Sequence, residues 1–378
     1  MRGPAVHPIV IAAGGTGGHF FPAEALAAEL IRRGERVALM TDARSGALKS
    51  RVFAGLEQAV IRGEGIAGRG ALKAMRAGVA LAAGAWQARG LLARLAPSAI
   101  VGFGGYPSVA PVLGSRLLRR RPAVILHEQN AVLGRANRFL ARHAAALALS
   151  VEATERVPES AQTVTTGNPV RPEIAALAAV AYAAPAPGET VRILVLGGSL
   201  GARVLSDVVP GALAPFAGRV SVVQQCRAED LERVRAAYAT SGIAAELAPF
   251  FADIPGRLSA AHLVIARAGA STVAELAASG RPAILVPLPD AIDDHQAANA
   301  AALAAAGGAI AMPQPGFTVE ALSARLAALL GDPVSLAAMA AAARGQGRPD
   351  AAARLADLVQ ALAQGAVAAS AHTEGGRA

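Results

Sequence analysis

Residues 9–23 read IVIAAGGTGGHFFPA, and residues 193–205 read ILVLGGSLGARVL. In each, a short apolar run of strand type meets a glycine-rich turn that opens into helical spacing. Glycine allows a tight turn with positive φ and a close backbone approach to a ligand. The helix start adds unpaired N–H groups and a partial positive charge, which suit a diphosphate. Two such corners, far apart in one chain, predict two α/β units and an enzyme that handles a nucleotide-linked substrate.

Working outward, the chain of 378 residues is long for a single core. Hydrophobic residues make up 53% and charged residues 17%, which excludes wholesale disorder. Strand patterns at 8–13, 36–41, 98–101 and 123–127 alternate with helical ones at 22–33, 72–95 and 133–141. The alternation restarts with strands at 192–196, 221–225, 262–266 and 283–287. Such a pattern gives parallel sheets covered by helices on both faces. Between the halves, Pro169, Pro172, Pro185, Pro187 and Gly188 break the pattern. The expected organisation is a first domain at 1–168, a connector at 169–190 and a second domain at 191–348. A last helix within 349–365 and a tail without fixed structure at 366–378 follow.

Lys and Arg number 36 against 27 Asp and Glu, a formal charge of +9, and Lys49 and Lys73 are the only lysines. The arginine excess reflects either genomic base composition or attraction to phosphates and an anionic membrane surface. The cluster Arg116, Arg119, Arg120 and Arg121 keeps the second account open. Leu72, Met75, Val79 and Trp86, with Arg76 and Arg89, read either as an apolar, basic docking surface or as ordinary core. No nucleic-acid recognition motif accompanies the charge, so nucleic acid is not an expected partner. The lone Cys226 fits a reducing cytosol. No basic-then-apolar leader precedes the first strand, and apolar stretches such as 77–85 are too short to span a bilayer. Without a cysteine cluster or HExxH, neither a metal site nor a cofactor is expected, and Asp293–Asp294 read as helix-dipole partners.

Several polar groups sit where strands end. His19 follows the first glycine loop, and there an imidazole either takes a proton near neutral pH or donates to a phosphate; the bland alternative is a core histidine. A second corner, GFGGYPS at 102–108, adds the hydroxyls of Tyr106 and Ser108. HEQN at 127–130 ends a strand with four polar side chains. In a doubly wound sheet such an end faces the ligand, which makes His127 and Glu128 acid–base candidates and Asn130 a partner for sugar or phosphate. In RAGASTVAE at 267–275, Thr272 and Glu275 fit a helix capping box; alternatively Glu275 accepts from ribose hydroxyls. In DDHQAAN at 293–299, Gln296 and Asn299 suit sugar hydroxyls.

In order, GGTGGH, GFGGYPS, HEQN, TGNPVR (166–171), GGSLGA, RAGAST and DDHQAAN resemble the bacterial MurG-type glycosyltransferases. Seven ordered motifs from the first strand to beyond Asn299 make the resemblance specific. It implies an α/β fold of GT-B architecture: two Rossmann-like, doubly wound parallel-sheet domains facing a cleft, with the last helix returning to the first domain. It further implies inverting, metal-independent transfer of GlcNAc from UDP-GlcNAc to the C4 hydroxyl of MurNAc in lipid I, the undecaprenyl-diphosphate-linked muramyl pentapeptide, to give lipid II. The implied setting is peptidoglycan synthesis by a peripheral protein on the cytoplasmic face of the inner membrane, with other cell-wall synthesis proteins as partners.

Carried over by position, Ser199, Ala270, Ser271 and Thr272 would face the donor diphosphate, Glu275 the ribose, and Gln296 with Asn299 the GlcNAc. The uracil would lie near Phe251. Thr16, Gly17, Gly18, Asn130 and Arg171 would complete the donor site from the first domain. Gly14, Gly15, Gly104, Gly105 and Tyr106 would hold the acceptor diphosphate. His19 is the first choice of base and Glu128 the second. Leu200 stands where the family commonly has glutamine, which removes a side-chain hydrogen bond but not the backbone N–H groups. Two rival readings are a UDP-GlcNAc 2-epimerase-like enzyme and a non-catalytic nucleotide-sugar binding protein.

Overall fold

The structure, a computed structural model, describes residues 7–14, 17–42, 50–61, 71–198 and 201–375, without the side chains of 71–77 and 368–375. The chain forms two compact units, Met1–Arg171 with Asp350–Ala378, and Pro172–Pro349.

The first unit contains strands β1 (Ile9–Ala12), β2 (Val37–Thr41), β3 (Glu57–Val60), β4 (Ala99–Gly102), β5 (Ala123–Glu128), β6 (Ala146–Leu149) and β7 (Thr163–Thr165). Its helices are α1 (Gly17–Arg32), α2 (Arg51–Ala54), α3 (Ala71–Leu95), α4 (Gly105–Arg116) and α5 (Arg135–Leu140). All seven strands are parallel, in the order β3-β2-β1-β4-β5-β6-β7. The chain therefore winds outward from β1 in one direction and then restarts from β4 in the other. The carboxyl ends of β1 and β4 form the switch point, where open α/β sheets bind ligands.

Strand alternation sends Ile9 and Ile11 to one core with Leu26 and Leu30 of α1, and Val10 and Ala12 to another with Leu92 of α3 and Val112 of α4. The first core also takes Leu355, Ala356 and Val359 from the C-terminal helix, so this helix belongs to the first unit. Arg33 ties it down through Asp357, Gln360 and the Ala353 carbonyl.

The second unit begins with the short helix α6 (Pro172–Ala175) and has strands β8 (Val191–Leu196), β9 (Val220–Gln225), β10 (Ala244–Ala248), β11 (Leu263–Ala266), β12 (Ala283–Leu285) and β13 (Ala309–Ala311). Helices α7 (Arg203–Leu213), α8 (Leu231–Thr240), α9 (Ile254–Ala260), α10 (Ala270–Ser279), α11 (His295–Ala305), α12 (Val319–Leu330) and α13 (Pro333–Gln346) surround it. The parallel order β10-β9-β8-β11-β12-β13 repeats the first unit's logic, with the switch point at the ends of β8 and β11. Each glycine corner thus lies at the switch point of its own sheet.

Three segments differ from expectation. The helix expected at 22–33 begins five residues earlier, at Gly17, which places His19 on the helix rather than in the loop before it. The connector is folded onto the second unit: Ile174 and Leu177 are buried, and Arg344 donates to the carbonyls of Ala178 and Val180. Proline there starts a helix instead of a linker, since its fixed φ suits a first helical turn. The last helix, α14 (Ala351–Gly375), continues through most of the tail expected to lack structure. Its run of alanines has the highest helix propensity of any residue type.

Candidate active site

At the first switch point, α1 carries His19 across to the backbone of Gly104 and Gly105. Those glycines have φ of +83° and +65°, and a Cβ on them would lie 3.5 and 3.6 Å from the imidazole. The left-handed turn therefore places bare backbone beneath the ring, which only glycine does at little cost. His19 is half-buried, and its Nδ1 lies 2.8 Å from Oε1 of Gln129. Arg171 sets its guanidinium 5.4 Å over the ring of Phe21, two residues along α1 from His19. Tyr106, in the first turn of α4, has a buried hydroxyl without a protein partner, and burial raises its pKa so that it acts as a donor. Gly14, Gly17 and Gly18 flank this rim; Gly15 and Thr16 lie outside the described residues.

The polar row at the end of β5 resolves into separate tasks. Glu128 is 2% exposed and accepts from the N–H of Asn130 and of Gly134 and from the side-chain amides of Asn130 and Asn137, all at 2.9–3.0 Å. Those four donors match the carboxylate's four lone-pair sites. Glu128 is built as a brace for the loop into α5, and the second-choice base is not poised for proton transfer. Asn130 is likewise engaged with Glu128. Asn137, which also donates to the His127 carbonyl, went unnoticed in the sequence because it lies inside a short helix without a motif.

His127 is fully buried. Its Nε2 lies 3.0 Å from the Gly167 carbonyl, and burial pulls its pKa down from 6.5 to about 4. It is a neutral structural imidazole and cannot exchange protons with a substrate. Between those two values the unfolded chain binds a proton that the folded chain refuses, so this contribution to stability is complete above about pH 6.5 and is lost as the pH falls toward about 4. The thermal midpoint should accordingly drop between pH 7 and 5, and His127→Gln should flatten that dependence.

In the second unit, α10 starts at Ala270 with Gly269 as N-cap and no side-chain cap. Thr272 therefore sits in the first turn and Glu275 a turn deeper, so the expected capping box does not form. An uncapped helix start at a switch point is suited to an anion. The facing loop has Gly198 and Gly201 at φ of +79° and +68°, and a Cβ on Gly201 would come within 2.4 Å of Arg227. Ser199 and Leu200 lie outside the described residues.

Three donor-site expectations need adjustment. Asn299 is 3% exposed and donates to the Ala268 carbonyl, so its amide nitrogen braces the loop before α10 rather than reaching a sugar. Gln296 accepts from the Leu288 N–H through Oε1. Phe251 is buried beneath the guanidinium of Arg257, 3.9 Å from the ring, while its neighbour Phe250 is 74% exposed. Phe250 is thus the aromatic this loop exposes. The sequence motif also hid the part played by Arg267. It donates to the carbonyls of Val286 and Pro287 and to Gln314, fixing the loop that leads to Gln296. Among the described residues, no group of three His, Cys, Asp or Glu side chains is placed to hold a metal.

Two Rossmann-like units, each with a glycine loop and a helix start at its own switch point, define a glycosyltransferase of the GT-B class. Residues 9–149 match the glycosyltransferase family 28 N-terminal domain and residues 192–355 its C-terminal domain. A protein of Granulibacter bethesdensis named UDP-N-acetylglucosamine--N-acetylmuramyl-(pentapeptide) pyrophosphoryl-undecaprenol N-acetylglucosamine transferase is 60% identical over 95% of this chain and 94% of its own length. One of the same name from Acidiphilium cryptum is 54% identical over 95% and 98%. The crystal structure of Acinetobacter baumannii MurG superposes with a TM-score of 0.77 at 31% identity, over 93% of this chain and 99% of that one. A glycotransferase of kitacinnamycin, at 18% identity and a TM-score of 0.66, shares the fold. This chain belongs to the MurG family of glycosyltransferases.

Proposed function

We propose that the protein transfers GlcNAc from UDP-GlcNAc to the C4 hydroxyl of the muramyl sugar of lipid I, forming lipid II with inversion at the anomeric carbon. The observation that carries this reading is the His19 imidazole, held at the first unit's switch point against Gly104–Gly105. In the reaction the C4 oxygen bonds to the anomeric carbon of GlcNAc as the bond to the UDP oxygen breaks. UDP leaves with the electron pair, and His19 takes the hydroxyl proton. The uncapped start of α10 offers N–H groups to the charge that grows on the departing diphosphate. Glu275, Gln296 and Phe250 are the donor-side contacts, and Tyr106 with the glycines of the first unit the acceptor-side ones. Radiolabelled UDP-GlcNAc incubated with a lipid I analogue should yield the disaccharide product at a rate unaffected by EDTA. Epimerised sugar from UDP-GlcNAc alone, or binding without turnover, would overturn the assignment.

Reach to a prenyl-anchored acceptor requires a membrane-facing surface, and we assign it to the first unit. Val79 and Trp86 are each 66% exposed on α3, and Arg89 stacks 4.9 Å over the Trp86 ring while donating to the carbonyl of the exposed Leu117. Beyond α4, Arg142 covers the exposed ring of Phe139, and Arg116, Arg119, Arg120 and Arg121 are exposed. Leu72, Met75 and Arg76 lie outside the described side chains. Among the described residues no single helix is long and apolar enough to cross a membrane. Apolar tips among arginines favour reversible docking on anionic lipid. The protein should sediment with anionic liposomes at low salt and be released at high salt, and Trp86→Ala should weaken sedimentation. Absence of pelleting at low salt would remove the assignment.

A further inference from the structure

A chain of side chains joins His19 to the interior of the first unit, and its hydrogens are fixed from both ends. Gln129 Nε2 lies 3.0 Å from His127 Nδ1 and 3.1 Å from the His127 carbonyl. A carbonyl only accepts, so the amide nitrogen of Gln129 must face it. The amide oxygen then points at His19, 2.8 Å from Nδ1. The same logic holds at the other end. The Gly167 carbonyl accepts from His127 Nε2, which leaves His127 Nδ1 as the acceptor for Gln129. Gln129 is 3% exposed and His127 is fully buried, so water does not compete for the bonds between these two residues.

We propose that Gln129, oriented by His127, is a positioning residue that holds the proton of neutral His19 on Nδ1 and leaves the lone pair on Nε2 for the sugar hydroxyl. The inference rests on the reading of His19 as the base. An imidazole is a competent base only through its unprotonated nitrogen, and the wrong tautomer presents a hydrogen where a lone pair is needed. A neutral amide fixes the tautomer without adding a charge beside the acceptor diphosphate, where a carboxylate would repel it.

Two measurements test this. Gln129→Leu removes the acceptor and should lower kcat by about 10- to 100-fold, a fraction of what a general base supplies, with the KM for UDP-GlcNAc unchanged. Gln129→Glu keeps an acceptor for His19 but sets its second oxygen against the His127 carbonyl and adds charge beside the acceptor diphosphate, so it should restore kcat only in part and raise the KM for the lipid acceptor. Because loss of a buried amide also bears on folding, long-range proton–nitrogen spectra of histidine-labelled wild-type protein give a second readout, with the His19 signals assigned by their loss in His19→Ala. They should show the His19 proton on Nδ1. A proton on Nε2, or full kcat in a folded Gln129→Leu variant, overturns the proposal. If His19→Ala is itself fully active, the base assignment fails instead, and the spectra still report the tautomer.

Discussion

Replacing His19 by alanine should reduce turnover by about 10²- to 10⁴-fold, the range a positioned general base contributes, and leave affinity for UDP-GlcNAc unchanged. The split follows from where the groups lie. His19 belongs to the first unit, at the glycine turn of β4 and α4, whereas the donor contacts assigned above come from the second unit's own switch point. The C4 hydroxyl is a weak nucleophile until its proton is taken. Among the polar groups of this rim, His127 is sealed away and protonates only near pH 4, and the Glu128 oxygens are filled by four donors. Elimination therefore leaves His19. Steady-state rates with a lipid I analogue, alongside calorimetric binding of UDP-GlcNAc without acceptor, separate the two quantities. Added imidazole should partly restore the rate in His19→Gly, since the lost group is a small soluble base. Near-normal turnover in His19→Ala would take the base role from it.

The sequence made the two central features legible, because the physics behind them is local. A buried parallel strand is a short apolar run, and a phosphate-friendly corner is glycine before a helix, so β1, β8 and their loops declare themselves. Edge strands do not. β3 reads EQAV with three of its four residues exposed, β7 is only TVT, and β10 is AAELA with an exposed face. None has the continuous apolar run that burial on both faces imposes on central strands. Site residues were legible as a set but not by task. HEQN announced polar groups at a strand end, yet their division of labour depends on partners distant in sequence. His19 and Gln129 are 110 residues apart, and His127 and Gly167 are 40 apart. The same limit explains Phe250 and Phe251. Two adjacent phenylalanines look equivalent until Arg257, gripped by Glu246 at 2.8 and 2.6 Å, claims one of them.

Glu128→Gln should unfold the first unit early rather than spare the fold and stop the chemistry. Exchange of one carboxylate oxygen for an NH2 group sets that group against two N–H donors, whichever way the amide turns. Either the Asn130 N–H and side-chain amide, or the Gly134 N–H and the Asn137 amide, lose their acceptor inside a site that is 2% exposed. Two largely desolvated donors left unpaired beside a buried carboxyl cost on the order of 2 to 3 kcal/mol, which in a domain of this size lowers the thermal midpoint by roughly 5 to 10 °C. Glu128→Ala loses all four bonds but admits water, and should fall in the same range. Activity falls with either change, because the loop from β5 into α5 carries Gln129 and Asn130 and is held in place by this carboxylate. The stability measurement therefore decides what an activity assay cannot. A catalytic base replaced by its isosteric amide would leave the melting curve where it was, and a variant that melts like the wild type while losing turnover would return Glu128 to the chemistry.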